Sequence, residues 1–150
     1  MTTEAGPKTL TRAHFDHVTS VTTRWSDNDM YGHLNNAVYY ELFDSAINAW
    51  LITGGVADTM EGPELGVVAE SGCRFFAELA YPEDVDVGIR VERLGRRSIT
   101  YALGLFGAEQ DDPAAVGHWV HVYIDRTSRS PVPIPAAVRE LLETAERLRT

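Results

Sequence analysis

Between positions 36 and 51, polar side chains fall at Glu41, Asp44, Ser45 and Asn48, the spacing i, i+3, i+4 and i+7. Tyr39, Leu42, Phe43, Ala46, Ile47, Ala49, Trp50 and Leu51 fill the rest of the circumference. A 3.6-residue period with so narrow a wet stripe predicts a long, deeply buried, central helix. Gly54-Gly55 ends it with residues that tolerate positive φ. Beyond that point the period shortens to two. Val85, Val87, Ile89 and Val91 alternate with Asp86, Gly88, Arg90 and Glu92, and Ile99, Tyr101, Leu103 and Leu105 alternate with Ser98, Thr100, Ala102 and Gly104. Two half-buried antiparallel strands are predicted, joined through Gly95 as a hairpin.

Similar alternation predicts strands over residues 67–79 and 116–125, and a fifth over roughly 14–25, ahead of the helix. Pro131, Pro133 and Pro135 lack the donors a sheet interior needs, and they lead into a last helix over 136–148. Val138, Leu141, Leu142, Ala145 and Leu148 form its apolar face. The order strand, long helix, four strands, terminal helix is met most economically by an α+β fold. One antiparallel sheet of about five strands curls around the central helix, so that the two apolar surfaces cover each other. With 150 residues the chain fits one domain, 14–150, behind an N-terminal tail, 1–13.

The most chemically loaded stretch lies just before the helix. Asp29, Gly32, His33, Asn35 and Asn36 place a carboxylate, a turn glycine, an imidazole and two carboxamides at a helix start. There backbone N–H groups lack intrahelical partners and can hold an anion or a polarised carbonyl. Charge narrows the ligands: 13 basic against 22 acidic residues give a net −9, which disfavours nucleic acid. Only Arg96-Arg97 and Arg126 with Arg129 offer local basic clusters for a small polyanion. No apolar run is long enough to span a bilayer, and the first residues lack the apolar core of a secretory signal, so a cytoplasmic address without membrane association is expected. The single cysteine, Cys73, rules out an intrachain disulfide and a cysteine-rich metal site and reads as a small buried hydrophobe.

The run from Arg24 to Tyr39, Arg-Trp-Ser-Asp-Asn-Asp-Met-Tyr-Gly-His-Leu-Asn-Asn-Ala-Val-Tyr, strongly resembles the hot-dog-fold thioesterases of the 4-hydroxybenzoyl-CoA thioesterase type. Val67-Val68-Ala69-Glu70, Tyr81-Pro82-Glu83-Asp84 and Gly95-Arg96-Arg97-Ser98 are similar to that family's later strands and hairpin. The resemblance implies a hot-dog fold, hydrolysis of an acyl-CoA thioester, and a homodimer or homotetramer with active sites at subunit interfaces. No cofactor is implied beyond coenzyme A as part of the substrate. Asp29 matches the family's catalytic carboxylate, and Asp27 does not. The Gly-His-x-Asn-Asn form is more similar to fatty-acyl members than to the hydroxybenzoyl branch. The chain is also similar in part to acyl-carrier-protein thioesterases, with His33 matching and Tyr31 standing where those have asparagine.

Thioester hydrolysis needs a base or nucleophile aimed at the carbonyl carbon and a site for the charge developing on its oxygen. Asp29 supplies the first, and backbone amides at the Asn36 helix start supply the second. His33 and Asn36 join Asp29 as candidate catalytic residues. Gly32, Asn35, Tyr39, Glu70, Arg96 and Arg97 are candidates for substrate binding, the arginines for the CoA phosphates. A non-catalytic acyl-thioester-binding module is the alternative for the same residues. An EF-hand reading of Asp27-x-Asp29 fails, because the position needing a bidentate glutamate is Val38. His118 and His121, three apart on a strand, face opposite sides and cannot share a metal.

Overall fold

The computed structural model describes residues 10–149. Its elements are β1 (His17–Val21), α1 (Asn36–Thr53), β2 (Glu64–Phe75), β3 (Val85–Leu94), β4 (Ser98–Gly107), β5 (Ala115–Asp125) and α2 (Ala136–Leu148). The five strands form one antiparallel sheet in the order β1-β3-β4-β5-β2. Consecutive strands β1 and β2 thus occupy opposite margins, and α1 carries the chain from one to the other. Tyr39, Phe43, Ala46, Ile47, Trp50 and Leu51 are its buried residues. Phe43 is fully buried, edge-on to Trp119 at 6.2 Å and pressed on Gly117, where a Cβ would lie 2.6 Å from the ring. Glycine is therefore what lets helix and sheet approach here. Ala49, expected in the buried part of the helix, is exposed together with Ile52, so the wet face is wider than the composition suggests.

The strand boundaries moved where local order was supplied by other means. The first strand spans five residues rather than twelve, because Arg12–His14 and Trp25–Asp27 are single 3-10 turns. Arg12, inside the segment expected as a tail, is tied to Asp86 at 2.6 Å and lies over the Phe106 ring. Residues 1–9 of that expected tail lie outside the described residues. β2 starts earlier and stops at Phe75, after which the N–H groups of Phe76 and Ala77 both donate to the Ala114 carbonyl.

β4 is buried along nearly its whole length rather than on one face. Gly88 and Gly104 stand opposite each other in register, and the Phe15 ring lies over both. That ring, with Phe106 edge-on at 5.5 Å, covers the outer face. At the end of α2, Leu148 is 76% exposed and does not join the apolar face. Arg149 just beyond closes on the fully buried Asp16 side chain at 2.5 Å.

Candidate active site

Two anchors shape the loop that precedes α1. Asp27, 3% exposed, takes the Arg24 backbone N–H on Oδ2 at 2.7 Å and the Arg24 guanidinium on Oδ1 at 2.8 and 3.1 Å. Burial on its own raises this carboxyl, but the bonds from Arg24 outweigh it and hold the group below its usual value. The second anchor is the 79–81 segment: Leu34 donates to the Leu79 carbonyl at 2.8 Å, and Asn28 Oδ1 accepts from Tyr81 at 3.0 Å.

A depressed carboxyl contributes stability that is present above its unfolded value and is lost as pH falls through the folded one. Asp27→Asn is therefore expected to lower unfolding free energy at neutral pH by about 1–3 kcal/mol. In urea titrations the gap between the two proteins should narrow from about pH 5 to about pH 2. A gap independent of pH would remove the charge of Asp27 from the account.

Between the anchors the chain makes a tight loop. Asp29 donates to the His33 carbonyl at 2.9 Å, Gly32 donates back to the Asp29 carbonyl at 3.1 Å, and Gly32 has φ +84°. Only glycine adopts that angle without strain. The Asp29 side chain is half-buried: Oδ1 accepts the Tyr31 N–H at 2.9 Å, and the other oxygen has no hydrogen bond among the described residues.

Asn35 caps α1. Its side chain accepts the Ala37 N–H at 2.9 Å, and its carbonyl accepts the Val38 N–H at 2.9 Å. Of the helix's leading amides, these two are occupied, and the Asn36 N–H is left without a partner among the described residues. The expected row of amides is thus a single donor, backed by the partial positive charge of the helix end.

Asp29, Gly32, His33, Asn35, Asn36 and Tyr39 all belong to this loop and the first turn of α1. His33 turns its Nε2 to Glu78 at 2.9 Å. Tyr39 is buried edge-on to Phe75 at 4.9 Å, and burial raises its hydroxyl. Asn36 is exposed. Glu70 sits elsewhere: it is level with Val120, on the face turned away from α1, and pairs with His118 at 3.1 Å. Arg96 and Arg97 occupy the exposed β3–β4 turn, at the end of the sheet where Ser98 meets Val122. The loop of Asp29 lies toward the Phe75 end, roughly 25 Å away at about 3.3 Å per strand residue.

Reading the sequence missed three exposed apolar side chains in and beside the loop. Trp25, Met30 and Tyr31 are 78%, 91% and 79% exposed, and Trp25 meets Tyr81 edge-on at 6.1 Å. Their signal was three large apolar residues in a stretch with no period, where no core could absorb them. Cys73 faces the helix side of β2, and burial pushes its thiol up to about 11, so it is no nucleophile at neutral pH. Among the described residues no group of three or more His, Cys, Asp and Glu could hold a metal, and no helix is long and apolar enough to cross a membrane. His118 is exposed and His121 buried, on opposite faces of β5.

The sequence profile of the thioesterase-like superfamily matches residues 23–142. This chain belongs to that superfamily. The solved structure of a Pseudomonas aeruginosa strain PAO1 protein is 42% identical, covers 91% of this chain and 95% of its own, and superposes with a TM-score of 0.88. A 1,4-dihydroxy-2-naphthoyl-CoA thioesterase from Synechocystis shares the fold at 16% identity, with 83% and 93% of the two chains covered and a TM-score of 0.77. So does a Staphylococcus aureus protein solved in complex with CoA, at 14% identity, with 89% and 85% covered and a TM-score of 0.81. No match was found among the curated proteins. The five-stranded antiparallel sheet crossed by α1, with α2 at the C-terminal end, is the α+β hot-dog fold.

Proposed function

We propose that this thioesterase-like protein hydrolyses acyl-CoA to the free acid and CoA, with Asp29 as its base. One observation carries the reading: the loop that leads into α1 holds a carboxylate pinned by a backbone amide through Oδ1, and neither its other oxygen nor the Asn36 N–H that begins the helix has a partner among the described residues. The unengaged oxygen takes a proton from water as that water adds to the thioester carbonyl, and the Asn36 N–H receives the oxyanion. Collapse expels the CoA thiolate, which recovers the proton; a thiolate leaves readily without a strong acid. Direct attack by Asp29 to give a mixed anhydride, then hydrolysed by water, uses the same atoms. His33, Gly32 and Asn35 fix the loop, and Tyr39 walls the acyl side. The CoA-bound fold relative supports CoA as the carrier. A cytoplasmic address and membership in the 4-hydroxybenzoyl-CoA type belong to the same reading.

A single chain separates Asp29 from Arg96 and Arg97, and β2 suggests how the distance closes. It is a margin strand bearing exposed Val67, Val68 and Phe75. Antiparallel pairing with the same strand of a second copy, as in the homodimer or homotetramer proposed for this chain, exchanges strand ends. The arginine-bearing end of one protomer then comes beside the Asp29 loop of the other, where the phosphates of CoA need cations. Replacing Val67 and Val68 together by Lys is expected to give a monomer by light scattering and to lower turnover at least about tenfold. A monomer with full activity would show the site to be complete in one chain.

The primary test is release of free thiol and acid from a panel of acyl-CoAs. The half-exposed position of Asp29 favours, as a second reading, an acyl-thioester-binding module. That reading predicts tight binding with no acid released.

A further inference from the structure

A cavity of about 420 Å³ opens at the other end of α1, between its C-terminal half, the 55–67 segment and β5. Leu51, Val56, Leu65 and Val138 give it an apolar lining. The wall is built rather than loose: the Arg126 guanidinium straps the Gly62 and Thr59 carbonyls at 2.6 and 2.9 Å, and Asp58 Oδ1 accepts the Met60 and Glu61 amides at 3.2 and 2.9 Å. His121 is also part of the lining. It is 2% exposed; neither ring nitrogen has a hydrogen-bond partner among the described residues, and while Nδ1 is sealed off, Nε2 is not. Tyr101, edge-on to it at 5.5 Å, has a buried hydroxyl that is likewise unsatisfied among the described residues.

Buried polar groups are nearly always paired, so an imidazole with neither nitrogen engaged among the described residues, on the wall of a cavity lined by both apolar and polar side chains, points to a partner supplied from outside the chain. Burial lowers the His121 pKa, against an opposing effect of Asp44, and keeps the ring neutral. A neutral imidazole has one donor and one acceptor nitrogen, which matches a hydroxyl group in either direction. Asp44, which acts on the ring, and Asp58 and Glu64 in the cavity lining disfavour a carboxylate at the tip of the ligand.

We infer that this cavity receives the far end of the acyl group and that His121 selects acyl chains carrying a terminal hydroxyl. The inference rests on the acyl-CoA thioesterase reading and on pairing through β2. Tyr39 packs on Phe75 at one end of β2, while Leu65 and Val67 line the cavity at the other. Exchange of strand ends between two copies therefore sets the cavity of one beside the Asp29 loop of the other. The chain of the substrate bridges them, and the partner subunit's His121 reads its tip.

The test compares unbranched acyl-CoAs from hexanoyl to dodecanoyl with their ω-hydroxy and ω-carboxy counterparts, by kcat/KM and by calorimetric binding to Asp29→Asn protein. Wild type is expected to prefer the hydroxylated member of at least one pair by about tenfold or more, and to discriminate against the carboxylated one. His121→Phe should abolish the preference while leaving hydrolysis of plain acyl-CoA in place, and His121→Gln, which keeps a donor and an acceptor, should retain part of it. Absence of preference in wild type, or its persistence in folded His121→Phe, overturns the inference. Turnover unaffected by Asp29→Asn would instead remove the catalytic reading, and the binding comparison would still decide the role of His121.

Discussion

Asp29→Asn is expected to lower kcat/KM for acyl-CoA hydrolysis by about 10²–10⁴-fold, the range usual for loss of a positioned base. Asparagine keeps an oxygen for the Tyr31 N–H, so the loop retains the bond that Asp29 Oδ1 makes at 2.9 Å. What it removes is the basic oxygen. The loss should fall mainly on kcat, because in the proposed mechanism the residue acts on the reacting carbonyl and on neither the acyl tail nor the phosphates. Stopped assays of thiol release, with melting temperature as a control, measure both. Equal rates for the two proteins would exclude Asp29 from the reaction.

Phe43→Ala is expected to cost about 3–5 kcal/mol, the most that a single core truncation commonly costs. Phe43 is fully buried, and its ring fills the space that the absent side chain of Gly117 leaves on β5. Two gaps then coincide, so the site cannot collapse from either side. Urea unfolding measures the loss. A value below about 1 kcal/mol would mean that α1 is held to the sheet elsewhere.

α1 and the β3–β4 hairpin were legible because burial imposes a period. The polar stripe of Glu41, Asp44, Ser45 and Asn48 put the helix over 36–51, and the structure extends it only to Thr53. β2 was harder. As a margin strand it is exposed on both faces for most of its length, so no alternation fixes its ends. β1 was overdrawn since Trp25 and Phe15, apolar as any strand residue, belong to a 3-10 turn and to a cover over Gly88 and Gly104. At the site, Asp29, Gly32, His33 and Asn35 could be placed because they are neighbours in sequence. Nothing local says that Asn35 spends its side chain on Ala37, or that Glu70 turns away from α1. His121 reads in sequence as an ordinary strand residue; only tertiary packing shows an imidazole without a partner among the described residues.

The two sheet margins are unlike. β2 runs for twelve residues and carries bare apolar side chains, whereas β1 offers five. Addition of like to like at the long margin leaves two stubs facing outward, too short to template further growth. The same backbone hydrogen bonding that feeds fibrils in other sheet proteins would here consume its own sticky surface in one step, so that assembly by this route terminates itself.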